Sequence, residues 1–243
     1  MQHFKTAVLA LAGLLCTMPT VAAVAATPTS AAIARLANGA NQFWARLFTS
    51  LGGRYRRPTV LDFDARIAGD TCDQTMALTG AFYCPRDQVI YLDQAFLAGL
   101  AADPASTADA ERAFVVGHEI AHHVQFLMGT TQLVNEARSR SAPALAELTL
   151  TSLELQADCY TGLWLKSAGR LRLVAVPGNP TVILDRLAGL SAAWQTAQGK
   201  DVLMPDPLDT GSMEQRHRWF LRGYNSGRYT ECDTFRAQAT GTL

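Results

Sequence analysis

The sequence has no surplus of charge. Its 243 residues carry 21 basic and 21 acidic side chains, and no basic run stands out. This argues against nucleic acid as a partner, because holding a phosphate backbone calls for a clustered positive field. There is no internal repeat, which sets aside solenoids and arrays. The leading apolar run, residues 7–15, falls short of the roughly 20 residues that span a bilayer. Cys-x-x-Cys pairs are missing as well, which weakens any reading of the cysteines as ligands for a structural zinc. Histidine is scarce, with five in the whole chain. Two of them four residues apart are therefore informative.

What is present is a globular composition, 49% hydrophobic and 17% charged. The length suits one domain with a sizeable core. Lys5, the apolar run and the small residues that follow, Val21 to Ala26, form a secretory signal-peptide pattern, with cleavage expected after Ala23 or Ala26. Residues 1–26 are read as that leader and residues 27–243 as a single exported domain, periplasmic or secreted. A membrane enters only if the leader stays uncleaved as an anchor. Without the leader four cysteines remain, Cys72, Cys84, Cys159 and Cys232. An even number in an exported chain points to two disulfides, and spacing alone allows three pairings.

Residues 115–123 read Val-Val-Gly-His-Glu-Ile-Ala-His-His. On a helix, His118 and His122 lie one turn apart on one face and can aim imidazole nitrogens at one metal ion. Glu119 sits about 100° round the helix, placed to reach a water on that metal without ligating it. Two neutral imidazoles hold Zn²⁺, the ion acidifies its water, and the carboxylate takes the proton. His123 points off the metal face and is not counted as a ligand.

Such a pair needs a third protein ligand. Downstream, Glu154-Leu155-Gln156-Ala157-Asp158-Cys159 again puts two acids four apart. Glu154 completes a His₂Glu set with an open fourth position, the pattern of a catalytic zinc. Asp158 is placed to accept the remaining imidazole N–H of one ligand. A solvated acidic helix face is the plainer alternative for such a pair, and His217 is the competing third ligand.

Helical periodicity runs from Ala31 to a stop at Gly52-Gly53, and from Thr107 to Gly129 through the histidines. It recurs over residues 144–168, 181–197 and onward from Ser212. Residues 93–100 suggest a short helix. Residues 59–63 and 88–92 read as strands. The second is expected beside the metal helix, either as an open edge that binds peptide by strand addition or as a plain core strand. The fold class is α+β, mostly helical, with a small sheet beside the metal helix.

The chain resembles the bacterial neutral zinc metallopeptidase family. The resemblance is carried by Gly80 to Pro85 through Tyr91-Leu92-Asp93, by His118 to His123, and by Glu154 to Cys159. It continues in Gln215-Arg216, Trp219-Phe220 and Cys232 to Phe235. It extends from about residue 44 to residue 235. It implies a zincin-like metalloprotease domain with His118, His122 and Glu154 as ligands, Glu119 as the catalytic residue, and peptides or proteins as substrates. With the resemblance, the cysteine pairing becomes Cys72–Cys84 and Cys159–Cys232. One departure stands out. Where the family is expected to read Thr-His-Gly ahead of its Gln-Arg, this chain has Asp209-Thr210-Gly211. Loss of a histidine that assists the tetrahedral intermediate would favour the alternative, a zinc-binding but non-catalytic envelope scaffold. Tyr83, Tyr160 and Arg216 are further candidates to assist an oxyanion.

Overall fold

The computed structural model describes residues 27–28, 30–64, 66–67, 72, 77–100, 107–199, 202–204 and 210–243. The expected leader, residues 1–26, lies outside them. Among the described residues no helix is long and apolar enough to cross a membrane.

A two-residue strand β1 (Thr27–Pro28) leads into helix α1 (Ala31–Ser50). Ser30 caps α1 by accepting from the Ile33 amide, which satisfies one of the donors a helix start leaves over. Four short strands follow, β2 (Thr59–Phe63), β3 (Ala77–Leu78), β4 (Ala81–Cys84) and β5 (Val89–Asp93). Asp93 then caps α2 (Gln94–Gly99). The metal-motif helix is α3 (Ala108–Leu127). Gly129, at φ +79°, turns the chain into α4 (Thr130–Arg140). Pro143 opens α5 (Pro143–Arg170), where its missing N–H costs no hydrogen bond. Next come α6 (Val182–Gln198), the strand β6 (Val202–Leu203), α7 (Met213–Ser226) and α8 (Thr234–Ala239). Ser212 and Gln215 form a reciprocal capping box at the start of α7.

The main sheet has the order β1-β2-β5-β4, and β3 pairs with β6 in a separate two-stranded ribbon. β2 and β5 run parallel, while β4 runs antiparallel to β5. This order settles the question left open for residues 88–92. β5 is an inner strand, and β4 is the outer strand that meets α3. Alternation along the strands divides the core. Ala81, Ile90 and Leu92 join the main hydrophobic cluster with α3 and α5, while Phe82 and Phe63 fill a smaller one on the opposite face.

Helix α3 touches α1, α5, α6 and β4. It is buried on nearly all sides, including His118, Glu119 and His123. Helix α5 is buried continuously over residues 151–165 and is clasped by α7. The clasp depends on absent side chains. A Cβ at Gly223 would stand 1.9 Å from the Cys159 carbonyl oxygen, and one at Gly162 would stand 2.2 Å from the Phe220 carbonyl oxygen. Further ties hold the tail to α5, among them the Cys159–Cys232 disulfide and a bond from Thr234 Oγ1 to the Ser152 carbonyl, 2.6 Å. A second disulfide joins Cys72 to Cys84 on β4. Both pairings are those the family resemblance implies.

Two helices carried no signal in the sequence. α4 buries only Val134, so it has no apolar stripe. α8 is a six-residue turn of helix capped by Asp233.

Candidate metal centre

His118 and His122 project from one face of α3, and Glu154 reaches them from α5. His118 Nε2 and His122 Nε2 are 3.2 Å apart. Glu154 Oε2 is 3.3 Å from each of them. The three atoms form a nearly equilateral triangle. Ligand atoms about 2.0–2.1 Å from a tetrahedral zinc stand about 3.3–3.4 Å from one another, so the triangle has the size one zinc ion requires.

The far side of each ring supports the same reading. His122 Nδ1 is 2.9 Å from Gln125 Oε1. The Gln125 amide nitrogen donates to the Leu153 carbonyl at 2.7 Å, which fixes the side-chain amide with its oxygen toward the ring. The proton of His122 therefore sits on Nδ1, leaving the Nε2 lone pair toward the triangle. His118 Nδ1 lies 3.2 Å from Asp158 Oδ1, and the same carboxylate oxygen accepts from Arg216 Nη2 at 2.8 Å. Both histidines thus present Nε2 inward with a side-chain oxygen standing close behind Nδ1, as metal-ligating histidines do. The donor set fits zinc.

Glu119 is buried beside this cluster. It lines a cavity of about 10 Å³ with His118, Phe114, Val115, Ala81, Phe96 and Met204, room for roughly one water.

The other candidates go elsewhere. His123 Nε2 donates to the Arg56 carbonyl at 2.6 Å. Its Nδ1 is then an acceptor and receives the Tyr83 hydroxyl at 3.0 Å. Burial holds the His123 imidazole below the usual histidine range, and burial also pushes the Tyr83 phenol up. This neutral pair fastens α3 to β4 and to the chain ahead of β2. His217 Nε2 lies 2.8 Å from Asp185 Oδ1 on α6, so it is engaged away from the triangle. The Tyr160 hydroxyl faces the Met128 sulfur at 3.9 Å. Arg216 meets Asp158, whose carboxylate stands between it and His118. Gly211 packs against Thr151 and Leu155, on either side of Glu154 in α5. Thr210, the residue before Gly211, thus stands next to a contact with α5. Gln125 escaped the sequence reading, although its position three residues after His122 on the same helix was the available signal.

A family model described as "Putative neutral zinc metallopeptidase" matches residues 20–235. The chain belongs to this family. Among curated relatives it is 28% identical over 192 residues to "Uncharacterized protein YpfJ" of Escherichia coli K12, covering 79% of this chain and 66% of the relative. It is 33% identical over 200 residues to "Uncharacterized protein Mb2605" of Mycobacterium bovis, covering 77% of this chain and 65% of the relative. The matches therefore span just under two thirds of these relatives' own length. No solved structure matches the chain.

Proposed function

We propose that this chain is an exported zinc-dependent peptidase that hydrolyses peptide bonds. In this reading His118, His122 and Glu154 hold the metal and Glu119 is the catalytic base. The observation that carries it is the triangle of two Nε2 atoms and one carboxylate oxygen, each edge 3.2–3.3 Å, with Glu119 beside it. Zinc bound there supplies a Lewis acid and lowers the pKa of its water. Glu119 accepts the proton of the attacking water and returns it to the leaving amine nitrogen. Phe114 stacks along the His118 ring, centroids 5.8 Å apart, and keeps that side of the ligand dry. The outer strand β4, next to α3, gives a peptide an edge to pair with. Most of the described helices contribute to one main hydrophobic cluster, which supports a single domain from residue 27 onward. The two disulfides and the leader pattern support an oxidising, exported setting.

The test is cleavage of a broad peptide library with and without a chelator, by wild type and by Glu119→Gln. Chelator-sensitive cleavage by wild type is expected. The variant is expected to keep its zinc and lose cleavage by a factor of at least about 10². Unchanged turnover in Glu119→Gln would sink the mechanism. Thr210 at the position of the expected histidine favours one second reading, a zinc-bound scaffold without catalysis. A broad library left uncut by a zinc-loaded wild type would favour it.

A further inference from the structure

We propose that Arg216 is a positioning residue of the metal centre. Acting from α7 through Asp158, it sets how tightly His118 holds the metal. The proposal rests on the zinc reading of the triangle and concerns metal affinity, not turnover.

The side chain of Arg216 is fully buried, as is that of Asp158. One carboxylate oxygen, Asp158 Oδ1, stands 2.8 Å from the guanidinium and 3.2 Å from His118 Nδ1. The guanidinium donates to that oxygen, and such a charge-assisted bond fixes where the carboxylate stands. Asp158 Oδ1 thus stands close behind His118 Nδ1; a carboxylate oxygen there favours the ring proton on Nδ1, which leaves the Nε2 lone pair toward Glu154 and His122. Three helices meet in this relay: Arg216 on α7, Asp158 on α5 and His118 on α3.

The rival explanation is that the ion pair merely fastens α7 to α5. That fastening is already provided. The helices touch backbone to backbone at Gly162 and Gly223. Below them the Cys159–Cys232 bridge, the Thr234–Ser152 bond and a bond from Gln156 Nε2 to the Cys232 carbonyl tie the tail down. A buried ion pair is a poor fastener, since an apolar pair of similar volume serves docking as well or better. The two ligands also differ in their backing. His122 is held by the neutral amide of Gln125, whereas His118 is held by a carboxylate that brings its own counter-charge.

The experiment measures zinc affinity of the full chain by competition with a chromophoric chelator. Wild type, Arg216→Met, Arg216→Lys, Asp158→Asn and the Arg216→Met/Asp158→Asn double variant are compared, with circular dichroism as the check on folding. Arg216→Met is expected to weaken zinc binding about 10-fold or more, in the range seen when partners of ligating side chains are removed. Arg216→Lys restores the charge and is expected to recover most of that loss. In the Asp158→Asn background Arg216→Met is expected to change affinity by less than about 2-fold, since the path to the metal is already cut. A purely structural role would lower thermal stability, leave the zinc affinity of the folded protein unchanged, and act alike in both backgrounds. Wild-type affinity in Arg216→Met, equal weakening in both backgrounds, or no recovery with lysine each overturns the proposal. If Arg216→Met does not fold, Arg216→Gln is read in its place, and failure of both to fold decides for the structural role. A wild-type chain that binds no zinc overturns the zinc reading and this proposal together. Absence of peptide cleavage with the zinc affinities as expected overturns only the peptidase reading.

Discussion

Gly223→Ala tests the contact that brings α7 onto the ligand helix. The added methyl would begin 1.9 Å from the Cys159 carbonyl oxygen and 2.8 Å from the carbonyl carbon. Real Cβ atoms keep at least about 3.0 Å from such atoms, so α7 must retreat by about 1 Å from a packed interface. Forcing extra volume into such packing costs about 1–3 kcal/mol, with the upper end apt here because both sides are backbone. Alanine returns about 1 kcal/mol of helix propensity. The net loss is therefore about 2 kcal/mol, or a melting temperature lower by about 4–8 °C for a domain of this size. Gly189→Ala is the matched control. Gly189 lies inside α6 with nothing within 4 Å of its added Cβ, so only the propensity term remains and the melting temperature should rise by about 2–4 °C. Calorimetry on the two variants and wild type gives the answer. A Gly223→Ala protein that melts at or above wild type would refute the close-packed clasp.

Other perturbations follow from the same geometry. The Cys159–Cys232 bridge closes a separation of 73 residues and Cys72–Cys84 one of 12. Chain entropy assigns them about 4 and about 3 kcal/mol, so the Cys159→Ser/Cys232→Ser protein should show the larger fall in urea midpoint. Asp158→Asn takes the carboxylate from a buried guanidinium and is expected to cost about 3–5 kcal/mol in urea unfolding of the zinc-free chain. Loss of less than about 1 kcal/mol would count against the buried Arg216–Asp158 pair as a stabilising contact. Burial raises the phenols of Tyr55, Tyr83 and Tyr160. Their stabilisation is whole below pH 10 and is lost as pH climbs from there toward the raised folded values, because the unfolded chain then ionises first. Stability against alkali should therefore fall more gently in Tyr55→Phe than in wild type, and phenolate absorbance of the native protein should lag behind that of the unfolded chain.

The features legible in the sequence were local ones. His118 and His122, and again Glu154 and Asp158, are four apart on helices, and a helix turns that spacing into a shared face. The starts of α1, α3 and α7 were legible to within a residue, at Ala31, Thr107 and Ser212, because helical periodicity repeats within a helix's own turns. α4 was missed for the converse reason. With one buried residue it has no periodicity to read, and it forms in the sequence space between α3 and α5. Strand order was not legible either. Nothing within residues 81–93 says that β5 pairs on both sides while β4 lies outside.

By itself, then, the sequence determined which residues share a helical face and so which donors one metal could gather from each helix. Only the tertiary structure decided how those faces meet. The crossing of α3 and α5 closes the triangle. The glycine-tight approach of α7 carries Arg216 to Asp158, 58 residues away in the chain, and the Leu153 carbonyl of α5 orients Gln125 toward His122. These are contacts between distant segments, set by packing rather than by any local spacing, so no window of the sequence contains them.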